Sequence, residues 1–302
     1  MRIRLLGVAA GGGFPQWNCN CANCLEARAG RLASLTQSGV AFSADGHSWF
    51  LINASPDLQA QIGAFPGLHP GVTSLRHSPI EAVLLTNADL DHVLGLFLLR
   101  EGDSLPIHAT PAMRETLAKG LRLETLLNCY CGAEWREPSL KDFVPLHTRK
   151  GKASGLSCRA IPLAHAQPLY FREGTTDGVQ SVAYEIKDGR TGGKLLVAPD
   201  VESVTPEFMV AMQDADAVLF DGTFWSNDEL QQIKGAPRTA LEMGHLPIQT
   251  HSLKILRGLP ARHKIFLHIN NTNPILRPDS AERAEVEAAG ITVGHDGMEL
   301  EI

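Results

Sequence analysis

Asn87, Asp89, Asp91 and His92 fall within six residues, between an apolar run ending at Thr86 and another beginning at Val93. Two carboxylates and an imidazole form a ligand set suited to iron, manganese or zinc. Side chains two apart in an extended segment share a side. Asn87, Asp89 and Asp91 are therefore expected to face one point, with His92 reaching in from the start of a helix. A lone aspartate here would cap that helix and meet its dipole, whereas Asp-x-Asp-His behind an apolar strand points to a metal. The other ligands must come from later in the chain. Later strand-like stretches end in His165, Asp200, Asp221 and His268, and His245 follows Met243-Gly244 in a loop. Any one of these alone would serve as a cap or brace. Together they point to a shared site at one edge of a sheet sandwich.

A second cluster is Cys19, Cys21 and Cys24. Three thiols this close, in a loop that follows a triple glycine, are most simply a structural zinc site; the alternative is three free thiols. No fourth ligand is visible nearby. Cys129, Cys131 and Cys158 receive no role.

Elements must position these groups. A strand is expected over 82–86 and a helix over 93–99, with further strands over 2–8, 47–53, 106–109, 158–163, 181–187, 194–198, 217–220 and 265–269. Helices are expected over 111–119, 205–212 and 280–289. The last has Ser280 as cap and Gly290 past its end, and another starts within Ala54-Ser55-Pro56-Asp57, with Ser55 or Asp57 as cap. Residues 120–155 read as loop-rich, and Gly11-Gly12-Gly13 as a loop whose backbone passes close to something. Strands alternating with helices suggest one domain, 1–302, built from two similar β/α halves, with a Cys-rich zinc loop over about 10–25.

With 302 residues, 44% apolar, the chain can bury a real core and is not disordered. A net charge of −6 without any basic block argues against a nucleic-acid partner. No apolar run approaches the roughly 18 residues of a membrane span. A cytoplasmic protein with its six Cys reduced or metal-bound is expected.

The order Asp-x-Asp-His, His, Asp, His at strand ends resembles the metallo-β-lactamase superfamily, with Asn87 and Asp89 where the usual motif has histidines. Ala10-Gly11-Gly12-Gly13-Phe14-Pro15-Gln16-Trp17-Asn18-Cys19-Asn20-Cys21 resembles the opening of the coenzyme pyrroloquinoline quinone (PQQ) synthesis protein B family. Asn53-Ala54-Ser55-Pro56-Asp57, Thr191-Gly192-Gly193-Lys194, Asp221-Gly222-Thr223, Met243-Gly244-His245 and His268-Ile269-Asn270-Asn271-Thr272-Asn273-Pro274 extend the likeness from end to end.

The resemblance implies an αββα sandwich of two mixed sheets flanked by helices, and a structural zinc at Cys19, Cys21 and Cys24. It also implies oxygen-dependent hydroxylation, by non-haem iron, of the tyrosine ring in a cross-linked Glu–Tyr compound. Other PQQ-pathway proteins are implied as partners. In the superfamily pattern the first metal's positions fall on Asn87, Asp89 and His165. A neutral amide is a poor zinc ligand, so that half-site should be weak. Asp91, His92 and His268 remain as the core iron ligands, with Asp89, His165 and Asp200 nearby. Asn87 would orient a ligand or the substrate. His245 is either an acid–base residue toward the phenol or a buried structural imidazole. Two rival readings are a PQQ carrier that assists export, and a zinc or manganese hydrolase of the same fold.

Overall fold

Leu195 and Val197 pack into one buried cluster while Leu196 and Ala198, between and beside them, pack into another. The same split recurs for Ile265 and Leu267 against Phe266, and for Ala217 and Leu219 against Val218 and Phe220. Strands that are apolar on both faces must be covered on both faces. One face meets a second sheet and the other meets helices.

A computed structural model describes residues 1–72, 75–164, 167–171 and 177–302. The strands are β1 Arg2–Gly7, β2 Gly39–Ser43, β3 Trp49–Ile52, β4 Ile80–Leu84, β5 Leu105–His108, β6 Ala133–Arg136 and β7 Val144–His147. They continue as β8 Ala153–Leu163, β9 Ser181–Asp188, β10 Lys194–Ala198, β11 Ala217–Asp221, β12 His263–Leu267, β13 Thr292–Val293 and β14 Glu299–Glu301. One sheet runs β14-β1-β2-β3-β4-β5-β6 and the other β13-β12-β11-β10-β9-β8-β7. Each is antiparallel on one side and parallel on the other, the change falling at β3 in the first sheet and at β10 in the second. This is the two-halved αββα sandwich expected. The helices Pro206–Asp214, Leu253–Arg257 and Ala281–Ala288 set Phe208, Leu256 and Val286 against the outer face of the second sheet.

Thr110, Thr205 and Ser280 cap their helices by accepting from the backbone N–H three residues on, at 3.2, 3.2 and 3.0 Å. Three expectations are corrected. The segment after Val93 is a 3-10 helix, Leu94–Glu101, following one α-turn, Leu90–Val93. There Gly95 donates to Ala54 O at 2.8 Å, and a Cβ on it would lie 2.3 Å from Ser55 O, so this close backbone contact displaces regular α pairing. Asp57 does not cap its helix, Leu58–Gly63, because its carboxylate accepts from Gln37 N and Nε2, both at 2.9 Å. Residues 120–155 hold the helix Leu123–Asn128 and strands β6 and β7, with Leu123 and Leu127 buried one turn apart. Among the described residues, no helix is long and apolar enough to cross a membrane.

Candidate metal centre and cleft

The candidate groups collect beyond the carboxyl ends of β4, β10, β11 and β12, beside a cleft of about 340 Å³. Asn87, Asp91 and His92 follow β4, Asp200 follows β10, Asp221 ends β11 and His268 follows β12. Asn53 holds the β4 exit: its Oδ1 accepts Thr86 N at 2.9 Å and its Nδ2 donates to Thr86 Oγ1 at 2.9 Å. Ala54 N donates to His92 O at 2.7 Å, tying the ligand turn to the same loop. The stretch is not extended as expected. Asp89 N donates to Asn87 Oδ1 at 3.0 Å in a tight Asx turn, and Asp91 lies in the first helical turn.

Asp91, His92 and His268 offer ligand atoms within 4.8 Å of one another. His268 Nε2 lies 3.1 Å and His92 Nε2 3.9 Å from Asp91 Oδ2. His92 Nδ1 sits 2.8 Å from Asn87 Oδ1, which accepts its proton, while the buried Nε2 has no hydrogen-bond partner. An imidazole held by one nitrogen with the other bare is a metal ligand's usual condition. Burial opposes ionisation of Asp91, but His92 and the hydrogen bond from His268 hold it down to about 2. Burial likewise opposes charge on His268, yet Asp200 and Asp91 push it up to about 10. The cluster thus draws positive charge inward, and its donors fit a divalent cation. The triple-glycine loop passes close to this point: a Cβ at Gly11 would lie 3.2 Å from Asp91 Oδ2.

Asp200 belongs with His245 and His268 in a second group of ligand spacing. It accepts Asn87 Nδ2 at 2.8 Å and lies 3.4 Å from His268 Nδ1 and 3.5 Å from His92 Nδ1. Asp89 lines the cleft but is in neither group, and its side chain does not cap the turn that follows it. His165 lies outside the described residues. His245 Nδ1 is 2.8 Å from Asp221 Oδ2, and its ring stacks on His268 at 5.6 Å between centroids. His268 takes φ 56°, and its Nδ1 and backbone O lie 2.9 and 2.8 Å from Thr223 Oγ1.

Three contributors were not assigned from sequence. Among the described lining residues, Arg238 is the permanently cationic side chain at the cleft. Thr223 joins Asp221 to His268. Glu229 is buried and accepts from Trp225 N at 2.7 Å and from Thr272, bracing the two loops that carry Thr223 and Asn270. Only Thr223 had a signal, Asp221-Gly222-Thr223, which drew notice as a motif without a role.

Burial pushes Glu229 up to about 7 against the hydrogen bonds that favour its anion. Its folded value exceeds the unfolded one, so the fold binds more protons between about pH 4.5 and 7, and stability is lost as pH rises through that window. Glu229→Gln is expected to flatten this slope. Between pH 5 and 8 the parent should lose on the order of 2 kcal/mol more unfolding free energy than the variant. Denaturant titrations at the two pH values measure it; parallel losses would contradict it.

Cys19, Cys21 and Cys24 also come together within 4.8 Å, the first and last buried. Three thiols at that spacing fit a structural zinc.

Comparison with known proteins agrees with the fold. A family model described as β-lactamase superfamily domain matches residues 48–269. The chain is 41% identical over 307 residues to coenzyme PQQ synthesis protein B of Stutzerimonas stutzeri, covering 100% of both. It is 41% identical to the same-named protein of Pseudomonas putida strain W619, again covering 100% of both. The crystal structure of zinc-bound PqqB from Methylobacterium extorquens superposes with a TM-score of 0.90 at 38% identity, covering 100% of each chain. A diphosphatase of the PhnP family shares the fold alone, with a TM-score of 0.68 at 20% identity, over 100% of this chain and 97% of that one.

Proposed function

The chain belongs to the coenzyme PQQ synthesis protein B family, and from that premise we propose that it works in PQQ synthesis as a ferrous-iron, oxygen-dependent hydroxylase. Its substrate is the tyrosine ring of a cross-linked Glu–Tyr diamino acid. The observation that carries this reading is the group of Asp91, His92 and His268, in which Asp91 and His268 line the cleft and the buried His92 Nε2 is unpartnered. Two imidazoles and one carboxylate with open positions suit oxygen-activating ferrous iron. Zinc has no redox chemistry to offer such a step. The zinc bound by the Methylobacterium relative supports metal binding by this chain without choosing the metal.

Asp91, His92 and His268 would hold the iron, which when bound supplies electrons to oxygen. Asn87 keeps the His92 ring turned by accepting from its Nδ1. Asp221 holds the proton on His245 Nδ1, leaving Nε2 to take the phenolic proton and enrich the ring before attack. Phe224, Leu230 and Met243 supply apolar wall for the ring. One oxygen atom of O2 replaces a ring hydrogen as hydroxyl. The other leaves as water, drawing two electrons from an added small-molecule reductant.

The test is a single turnover: load ferrous iron without air, add the cross-linked compound and a reductant, then admit oxygen. A mass gain of one oxygen that fails with zinc supports the proposal. Compound bound but unchanged would overturn it in favour of a carrier. Turnover of a phosphodiester with zinc and no oxygen would overturn it in favour of a hydrolase.

Carboxylates on the substrate need a cationic partner, and among the described lining residues Arg238 is the one the cleft provides. Arg238→Ala is expected to raise KM about tenfold, the worth of one charge-assisted hydrogen bond, and to leave kcat within about twofold. Steady-state kinetics decide it; an unchanged KM would remove Arg238 from recognition.

A further inference from the structure

We infer that the free edge of β6, Ala133–Arg136, pairs antiparallel with the same strand of a second copy of this chain. The two sheets end in β14, β6, β13 and β7. β13 has only two residues, β7 carries Pro145, and β14 paired with its own copy would set Glu299 against Glu301. β6 is the exception. Leu105 N donates to Gly132 O and Ala109 N to Arg136 O, at 3.3 and 3.1 Å, and Glu134 stands opposite Pro106 in parallel register. The even-numbered residues therefore turn their backbone groups toward β5, and Ala133, Trp135 and Glu137 turn theirs outward. Among the described residues no strand meets them, and Ala133 N reaches only the side chain of Asn128, at 3.4 Å.

A strand edge left this way is a template for pairing, and charged side chains commonly guard it. Here the order of the charges does the opposite. With a two-fold axis at Trp135, that residue exchanges both backbone hydrogen bonds with its twin. The flanking pairs then set Glu134 opposite Arg136 of the second copy, and the reverse. Those are non-hydrogen-bonded positions, where facing side chains come closest. Within one chain Arg136 Nη2 already holds Glu134 Oε1 at 2.8 Å, so the two copies form one alternating row of charge. Sliding the register by two residues puts Arg136 on Arg136 or Glu134 on Glu134, and in-register parallel pairing sets like on like throughout. The charges thus choose one arrangement. On the other face, Glu137 of the second copy stands diagonal to Trp135. The indole N–H there is buried and has no hydrogen-bond partner among the described residues, and a carboxylate at the diagonal position satisfies it.

Sedimentation velocity of the full chain at rising concentration should show a reversible dimer that high salt weakens. Glu134→Arg and Arg136→Glu each set like charges opposite one another, and each should weaken the dimer at least about tenfold. Mixed in equal amounts, the two variants are complementary again and should form a heterodimer. The double exchange, Glu134→Arg with Arg136→Glu, should restore the homodimer. Both side chains reach solvent, and far-UV circular dichroism checks that each variant is folded. If one single variant does not fold, the other set against the double exchange decides. A parent that stays monomeric at every concentration would overturn the inference. So would single variants that dimerise as the parent does, which would place the interface elsewhere on the surface.

Discussion

His92→Ala is expected to abolish oxygen incorporation in single turnover and to weaken ferrous iron binding in the cleft by more than about a hundredfold. Removing a partner that only orients a ligand already costs about 10- to 100-fold. Removing a ligand from a group of three must cost more. The fold should survive, because the ties from this turn to its surroundings run through the backbone: His92 O accepts Ala54 N, and Gly95 N donates to Ala54 O, whatever the side chain. Asn87 provides the internal comparison. Asn87→Ala, which removes the acceptor for His92 Nδ1, should lose about 10- to 100-fold in iron affinity. Anaerobic iron titration and mass analysis of one turnover measure the whole series. Undiminished iron affinity in His92→Ala would remove Asp91, His92 and His268 from the metal, and the hydroxylase reading with them.

The part of this site that was legible in sequence is the part written in short-range pattern. Apolar runs such as Leu195–Ala198 and Ala217–Phe220 announce buried strands, and a polar residue closing such a run stands at the strand's mouth. That is why Asp91, His92, Asp200, Asp221 and His268 could be picked out and expected to share one edge. What was lost is what depends on three-dimensional approach. The displacement of the α-helix after Val93 comes from Gly95 pressed against Ser55, forty residues away in sequence. Asp57 has the position of a cap but meets Gln37, a partner on a different loop. Arg238 sits in an ordinary exposed loop, and nothing in its neighbourhood of sequence says that the loop borders the cleft. Asn271 was visible within a motif, but facing three cysteines some 250 residues earlier is a property of the fold.

Asp221 gains most from the structure, and Asp221→Asn is expected to lower kcat by about a thousandfold with little change in KM. The carboxylate is fully buried at the end of β11 and receives four donors. Its Oδ1 accepts from Thr223 N at 2.9 Å and Thr223 Oγ1 at 2.6 Å, and its Oδ2 from Val201 N at 2.9 Å and His245 Nδ1 at 2.8 Å. An amide has one accepting oxygen. With that oxygen kept on the Thr223 side, its NH2 meets the Val201 N–H and the His245 ring. His245 can then answer only as an acceptor at Nδ1, which moves its own proton to Nε2 and removes the base facing the cleft. Comparable tautomer reversals in acid–base dyads cost about 10³- to 10⁴-fold. Setting the NH2 against the Val201 N–H also costs roughly 1–3 kcal/mol of stability, so thermal melting should accompany the kinetics. Iron affinity separates a positioning role from a ligand role. It should change less than tenfold, because Asp91, His92 and His268 do not depend on the His245 tautomer. A folded Asp221→Asn protein with parental kcat would make His245 and Asp221 structural partners only. Loss of iron equal to that in His92→Ala would instead move His245 and Asp200 into the metal's own ligand set.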